Sequence, residues 1–314
     1  MPIRNIQHYG LTVPDLEAGK KFFADFGLEV HERSDAVVLR CFGRDQDQII
    51  LTEGKRKCLH HVSFGTSAKD FPQLTKSIEG ARIKLVDAPK ELIDVTSVDG
   101  LWFEDFEGML THITVAEDTP WQEGLAPTFN TPTERPRQGK RTELISDPAV
   151  QPRRLGHVVL FTSDAMRKQK FYIEVLGLAL SDRVADFLHF LYSPKGSDHH
   201  IVAMAQSGAY GIQHVGFEVG SSDEVGMGGR QMTDKGYIHC WGPGRHGPGS
   251  NAFFYMRDPW NSVIEYFADM DYIPEGTNWE AVNWATKTET VIWGSNEPKD
   301  FPTNFEILDG PGMH

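Results

Sequence analysis

Two stretches of this 314-residue chain follow one plan: IQHYGLTVPDLEAGKKFFADFGLEV near the N-terminus and LGHVVLFTSDAMRKQKFYIEVLGLAL in the second half. Each reads as an apolar strand, a polar break able to cap a helix (Val13-Pro14-Asp15 or Thr162-Ser163-Asp164), and one amphipathic helix closing on Gly-Leu. Strand patterns follow, AVVLRCFG and QIILTE in the first half, DFLHFLY and HHIVAMA in the second. A further unit then opens in each half with LHHVSFGTSAKDF or IQHVGFEVGSSDEV. His61 to His112 and His214 to Glu265 span the same 51 residues, so the halves are duplicates. The expected fold is α+β, with four βαβββ units paired into two barrel-like domains, each leaving a cleft suited to a ligand.

Between 118 and 153 the periodicity stops in a proline-rich stretch. It predicts an N-terminal domain over 1–117, a linker over 118–153, a catalytic domain over 154–270 and a tail or lid over 271–314. The net charge of −13 opposes binding to nucleic acid or to anionic membranes. Cys41, Cys58 and Cys240 form no CxxC pair, which suits a reducing compartment. No apolar run is long enough to cross a membrane and the N-terminus lacks a signal-peptide core, so the expected location is cytoplasmic.

In RDPWNSVIEYF the carboxylate of Glu265 alternates with Val263 and Phe267 on one face of a strand, so it points inward and needs a cation. His157 and His214 open the two units of the same half and converge with Glu265 if those units form a cup. Two imidazoles and one carboxylate with open positions suit non-haem Fe(II), and Mn(II) also fits.

The repeat plan, LGHVVL, IQHVGFEV and GPGRHGPGSNAFFYMRDPWNSVIEYF together resemble the type I extradiol catechol dioxygenases of the vicinal oxygen chelate superfamily. The last stretch is most similar to the homoprotocatechuate 2,3-dioxygenase branch. The resemblance implies metal ligands at His157, His214 and Glu265. It places the acid-base histidine at His200 in SDHHIVA, the histidine of the RHG motif at His246, and the family tyrosine at Tyr255. It also implies opening of a catechol ring next to the diol by dioxygen, and a homo-oligomer, dimer or tetramer. His189, His199 and His239 read as structural.

Two departures from that branch bear on the substrate. Trp241 stands where an arginine holds the substrate carboxylate, and TETVIWG lacks a second arginine. An indole packs against alkyl or aryl groups but cannot pair a carboxylate, so the expected catechol carries an uncharged substituent. Arg245 is adjacent and leaves a carboxylate possible. Trp241, Tyr192, Val159 and Arg245 are the expected substrate contacts, with Phe187, Trp279, Trp284 and Trp293 also able to shape the pocket.

His8, His61 and His112 occupy the repeat equivalents of the three ligands. Three histidines are able to hold a second metal, but nothing in the first half matches His200, His246 or Tyr255, which reads as a vestigial site. Two other functions stay open on the same fold: a glyoxalase-like metal isomerase or lyase, and a small-molecule sequestering protein.

Overall fold

The computed structural model describes residues 2–116, 128–145, 149–284 and 290–308. The first half holds β1 (Asn5–Val13), α1 (Leu16–Phe26), β2 (Glu29–Arg33), β3 (Ala36–Arg40) and β4 (Ile49–Glu53). Then come β5 (Cys58–Thr66), α2 (Phe71–Gly80), β6 (Leu85–Val86), β7 (Leu101–Glu104) and β8 (Leu110–Val115). The second half opens with β9 (Arg154–Thr162), α3 (Ala165–Glu174), β10 (Ala179–Val184), β11 (Leu188–Tyr192), a two-residue β12 (Ser197–Asp198) and β13 (Val202–Gln206). It continues with β14 (Gly211–Glu218), α4 (Ser222–Asp234), β15 (His239–His246), β16 (Ala252–Arg257) and β17 (Val263–Ala268). Short strands β18 (Tyr272–Ile273), β19 (Val282–Asn283) and β20 (Val291–Gly294) and the one-turn α5 (Phe305–Leu308) end the described chain. The βαβββ plan is thus realised four times.

The helices start where the polar breaks predict. Asp15 caps α1 by accepting from Ala18 N at 2.9 Å, and Asp164 caps α3 by accepting from Arg167 N at 2.9 Å; each such cap contributes about 1 kcal/mol. α1 ends at Gly27, whose φ of 103° is the left-handed conformation that glycine adopts without strain. Its inner face buries Phe22, Phe23 and Phe26, each stabilising the fold by roughly 1.5–3 kcal/mol.

Within each half the first strands of the two units pair antiparallel, β1 with β5 and β9 with β14. Eight strands form one sheet in the order β2-β3-β4-β1-β5-β8-β7-β6, open at β2 and β6. The second sheet repeats this order through β10-β11-β13-β9-β14-β17-β16-β15, and β19 and β20 from the tail extend its two edges. The tail is therefore woven into the sheet as well as reaching over it.

The halves share one apolar core. Phe26 of α1 stacks on Tyr266 of β17 with ring centroids 3.9 Å apart, and Tyr266 Oη donates to the Phe26 carbonyl at 2.6 Å. Lys168 of α3 is fully buried against the turn that follows β7, with Nζ 2.6 Å from Asp105 and 3.0 Å from Glu107. Glu306 ties the end of the described chain to both halves. It accepts from Lys57 Nζ at 2.7 Å, Leu59 N at 2.9 Å and Ile212 N at 3.1 Å. Among the described residues no helix is long and apolar enough to cross a membrane.

Candidate metal centre

One row of paired residues crosses the second sheet. Trp241 on β15 faces Tyr255 on β16, Tyr255 faces Glu265 on β17, Glu265 faces Gly216 on β14, and Gly216 faces His157 on β9. Directly paired residues share a face, and His214, two residues before Gly216, shares it too. Gly216 is glycine for a reason: a Cβ there would fall 2.1 Å from the His157 ring. Sheet register therefore brings His157, His214 and Glu265 together from three strands, with ligand atoms all within 4.8 Å of one another.

Glu265 is fully buried. Its Oε1 accepts from Asn251 Nδ2 at 3.1 Å, whereas Oε2, 2.9 Å from His157 Nε2 and 3.7 Å from His214 Nε2, receives no aligned hydrogen bond among the described residues. Burial pushes its carboxyl above the usual range, and His157, Tyr255 and Asn251 pull it back only in part. Burial also holds the His214 imidazole well below its ordinary pKa, helped by His157 and His246. A neutral imidazole and an orphaned carboxylate oxygen in a buried site are the donors a divalent cation needs, so the residues fit a metal. Gln213 Oε1 lies against His214 Nδ1 and occupies the nitrogen that a ligating histidine turns to its outer partner.

Around this trio stand the other predicted groups. The His200 ring is 4.5 Å from that of His157, and burial lowers its pKa well below 6.5, with the neighbouring histidines adding to the effect. His246 Nε2 is 2.8 Å from Tyr255 Oη. Burial lowers His246 to about 3 and raises Tyr255 well above 10, so the pair is an uncharged imidazole and a protonated phenol.

The cavity over the trio is apolar on most of its wall. Val159, Val184, Phe187, Leu188, Phe190 and Ala205 line one side, and Trp241, Tyr255, Phe301 and Pro302 the other, with Gln213, Asn251, Thr290 and Glu297 as the polar exceptions. Val159, Trp241 and Phe187 are lining residues. Tyr192 and Arg245 are not: Leu188 and Phe190 supply the β11 part of the wall, and Arg245 turns away to the Ser250 carbonyl and to Asp269 at 2.9 Å. The tail tryptophans also lie elsewhere. Trp279 donates to Ser181 O at 2.9 Å, Trp284 to Asp182 Oδ2 at 2.8 Å, and Trp293 is half exposed. Sequence reasoning missed Asn251, Gln213 and Phe301. Asn251 sits in the glycine-rich loop that drew attention to His246, and Gln213 directly precedes a ligand; Phe301 carried no local signal.

The first half repeats the row with His112 in the place of Glu265 and a second change at the glycine. His8 faces Ser63, Ser63 faces His112, and His61 lies two residues before Ser63. Serine thus replaces the glycine of the second half, and its Oγ is 2.8 Å from His112 Nδ1. His112 Nε2 is 3.1 Å from the Asp99 carbonyl, and the ring stacks on Trp102 at 4.2 Å. With both its nitrogens engaged, His112 does not close on His8 and His61. Among the described residues only His157, His214 and Glu265 form such a group.

Residues 154–266 match the model of the Glyoxalase/Bleomycin resistance protein/Dioxygenase superfamily. The chain is 37% identical over 313 residues to metapyrocatechase 2 of Cupriavidus necator, covering 97% of this chain and 93% of that protein. It is 22% identical to the manganese-dependent 2,3-dihydroxybiphenyl 1,2-dioxygenase of Geobacillus genomosp. 3, covering 95% of each chain. Among solved structures, homoprotocatechuate 2,3-dioxygenase of Brevibacterium fuscum in complex with 3,4-dihydroxyphenylacetate superposes with a TM-score of 0.76 at 21% identity, covering 96% of this chain and 92% of that one, a likeness of fold. On the full-length match above all, the chain belongs to the extradiol ring-cleaving dioxygenases of the vicinal oxygen chelate superfamily.

Proposed function

We propose that this enzyme opens the ring of a catechol bearing an apolar, uncharged substituent, at a single Fe(II) held by His157, His214 and Glu265. Mn(II) suits the same donors. The observation that carries the reading is the undonated Glu265 Oε2 between two imidazole nitrogens at the floor of an apolar cavity. Such a metal supplies a Lewis acid that lowers the pKa of a catechol hydroxyl and a centre where diol and dioxygen meet.

The chain's own side chains do the rest. Tyr255 and His246, hydrogen-bonded to each other at 2.8 Å, both line the cavity and hold a substrate oxygen. His200, neutral through burial, takes a proton from the substrate and later returns it to the ring-opened product. Leu188, Phe190 and Val159 exclude water and receive the substituent. Trp241, its indole N–H already given to the Ser295 carbonyl at 2.8 Å, offers a substrate only its apolar face. Among the described residues, the cavity wall carries no lysine or arginine to pair a carboxylate.

Three free cysteines support a cytoplasmic location, and the family resemblance supports a homo-oligomer. The test is anaerobic loading with Fe(II), then oxygen and a series of catechols, following oxygen uptake and the yellow ring-opened product. Alkyl- and aryl-catechols are expected to turn over at least tenfold faster, by kcat/KM, than 3,4-dihydroxyphenylacetate, the order of magnitude set by an unpaired buried charge. No uptake with any catechol, or preference for the carboxylated one, overturns the proposal.

A further inference from the structure

Directly behind His200 lies a buried chain of hydrogen bonds that leads away from the cavity. His200 Nδ1 is 3.1 Å from Nδ1 of His199, and His199 Nε2 is 3.1 Å from Asp182 Oδ2. Asp182 also accepts from Val282 N at 2.7 Å and from the Trp284 indole N–H at 2.8 Å. His199 is wholly inaccessible and Asp182 nearly so. The backbone of His199 is pinned by donation to the Asp271 carbonyl at 2.7 Å, and a Cβ on Gly249 would come within 3.2 Å of its ring.

Donor and acceptor roles along this chain follow in order. Val282 N and the Trp284 indole only donate, so Asp182 is an acceptor, and the contact with His199 is an imidazole N–H given from Nε2. With that N–H on Nε2, the imidazole tautomer carries its lone pair on Nδ1. That nitrogen accepts from His200, so His200 carries its proton on Nδ1 and leaves Nε2 unprotonated. His200 lines the cavity, and Nε2 makes no hydrogen bond to protein among the described residues.

We propose that His199 and Asp182 are positioning residues that fix the tautomer of His200, so that it meets the substrate as a base through Nε2. The inference rests on the reading of His200 as the acid-base group. In the forward step a substrate hydroxyl proton moves to Nε2, giving an imidazolium whose Nδ1–H is stabilised by His199 and Asp182. The same proton leaves from Nε2 to the product, so the pair gains and loses nothing over a cycle. Trp284 and Val282 make the C-terminal segment part of the device, although neither borders the cavity. A triad of this logic, with a carboxylate orienting an imidazole, is worth large factors in kcat and little in binding.

The test compares His199→Leu, His199→Asn, Trp284→Phe and the wild type, each loaded with Fe(II), using 4-methylcatechol as the probe. His199→Leu is expected to lower kcat at least tenfold with KM and metal content within about twofold, since proton transfer by a positioned group contributes factors of this order or more. His199→Asn, whose carboxamide oxygen stands near the place of Nδ1, is expected to recover most of that loss. Trp284→Phe is expected to give an intermediate loss in kcat, a second handle should His199→Leu not fold. In a His200→Phe background, His199→Leu is expected to add no further loss. Unchanged kcat in His199→Leu, equal losses in the Leu and Asn variants, or full multiplicativity with His200→Phe overturns the inference while leaving the site reading standing. A wild-type enzyme inactive on 4-methylcatechol and on every other catechol sinks both.

Discussion

Glu265 Oε2 stands 2.9 Å from His157 Nε2 without an aligned hydrogen bond, and both side chains are buried. In the metal-free protein this carboxyl costs stability, because burial raises its pKa and the ionised form is disfavoured. Sign follows directly: a folded-state pKa above the unfolded one stabilises at low pH, and that stabilisation is lost as pH rises through the folded value. Glu265→Gln removes the ionisable group while keeping its shape. The metal-free variant is expected to melt a few degrees above metal-free wild type at pH 7, yet to gain nothing from added Fe(II) and to keep under about 1% of activity. Calorimetry with and without metal checks this; a variant that still gains stability from Fe(II) contradicts the ligand assignment.

The first-half histidines make the opposite contribution. Burial lowers His8 to about 3 and His112 to about 4, so the folded protein keeps them neutral while the unfolded chain protonates them near 6.5. Their contribution is therefore present above pH 6.5 and lost as pH falls toward 4, at up to about 1.4 kcal/mol per pH unit for each histidine. His112→Gln is expected to flatten the slope of urea-unfolding free energy between pH 6 and 4 by about that amount. An unchanged slope shows that His112 titrates in the folded state as it does in the unfolded one.

The serine in the first-half row predicts metal content. Ser63 Oγ and the Asp99 carbonyl engage both nitrogens of His112, so the enzyme is expected to carry one metal per chain. His214→Ala is expected to remove it, and His112→Ala to leave it in place. Elemental analysis after dialysis decides: two equivalents in the wild type, or loss on His112→Ala, contradicts the account of Ser63.

The fold and the trio were legible because duplication writes the same period twice. The alternation of Val263, Glu265 and Phe267 named the inward carboxylate, and the 51-residue spacing from His214 tied it to a histidine. The sequence pointed to a vestigial first-half site but not to its cause: His61 and His112 keep that spacing, and only the register that sets Ser63 against both His8 and His112 shows why the trio does not close. The cavity wall was half legible. Val159 lies two residues from a ligand on one strand, so period two carries it inward, whereas Phe301 arrives from a tail whose path no local pattern encodes. Arg245 misled because adjacency to His246 in sequence means the opposite face on a strand.

Between the halves, Lys168 is the residue whose loss is expected to cost most per atom. Its ammonium is fully buried, 2.6 Å from Asp105 and 3.0 Å from Glu107, and both carboxylates also hold backbone: Asp105 accepts from Glu107 N and Met109 N, and Glu107 from Ser163 N. Lys168→Met keeps the length and fills the space, but it strands two buried carboxylates without a cation. Removing one partner of a buried network typically costs about 3–5 kcal/mol. At this chain size that is a fall in Tm on the order of 10 °C. Lys20, which pairs with Glu17 and Glu32 at similar distances but on the surface, is the control: its replacement by methionine is expected to leave Tm unchanged within error. Thermal unfolding of the two variants side by side separates burial from pairing, and equal small shifts mean that water reaches the Lys168 site.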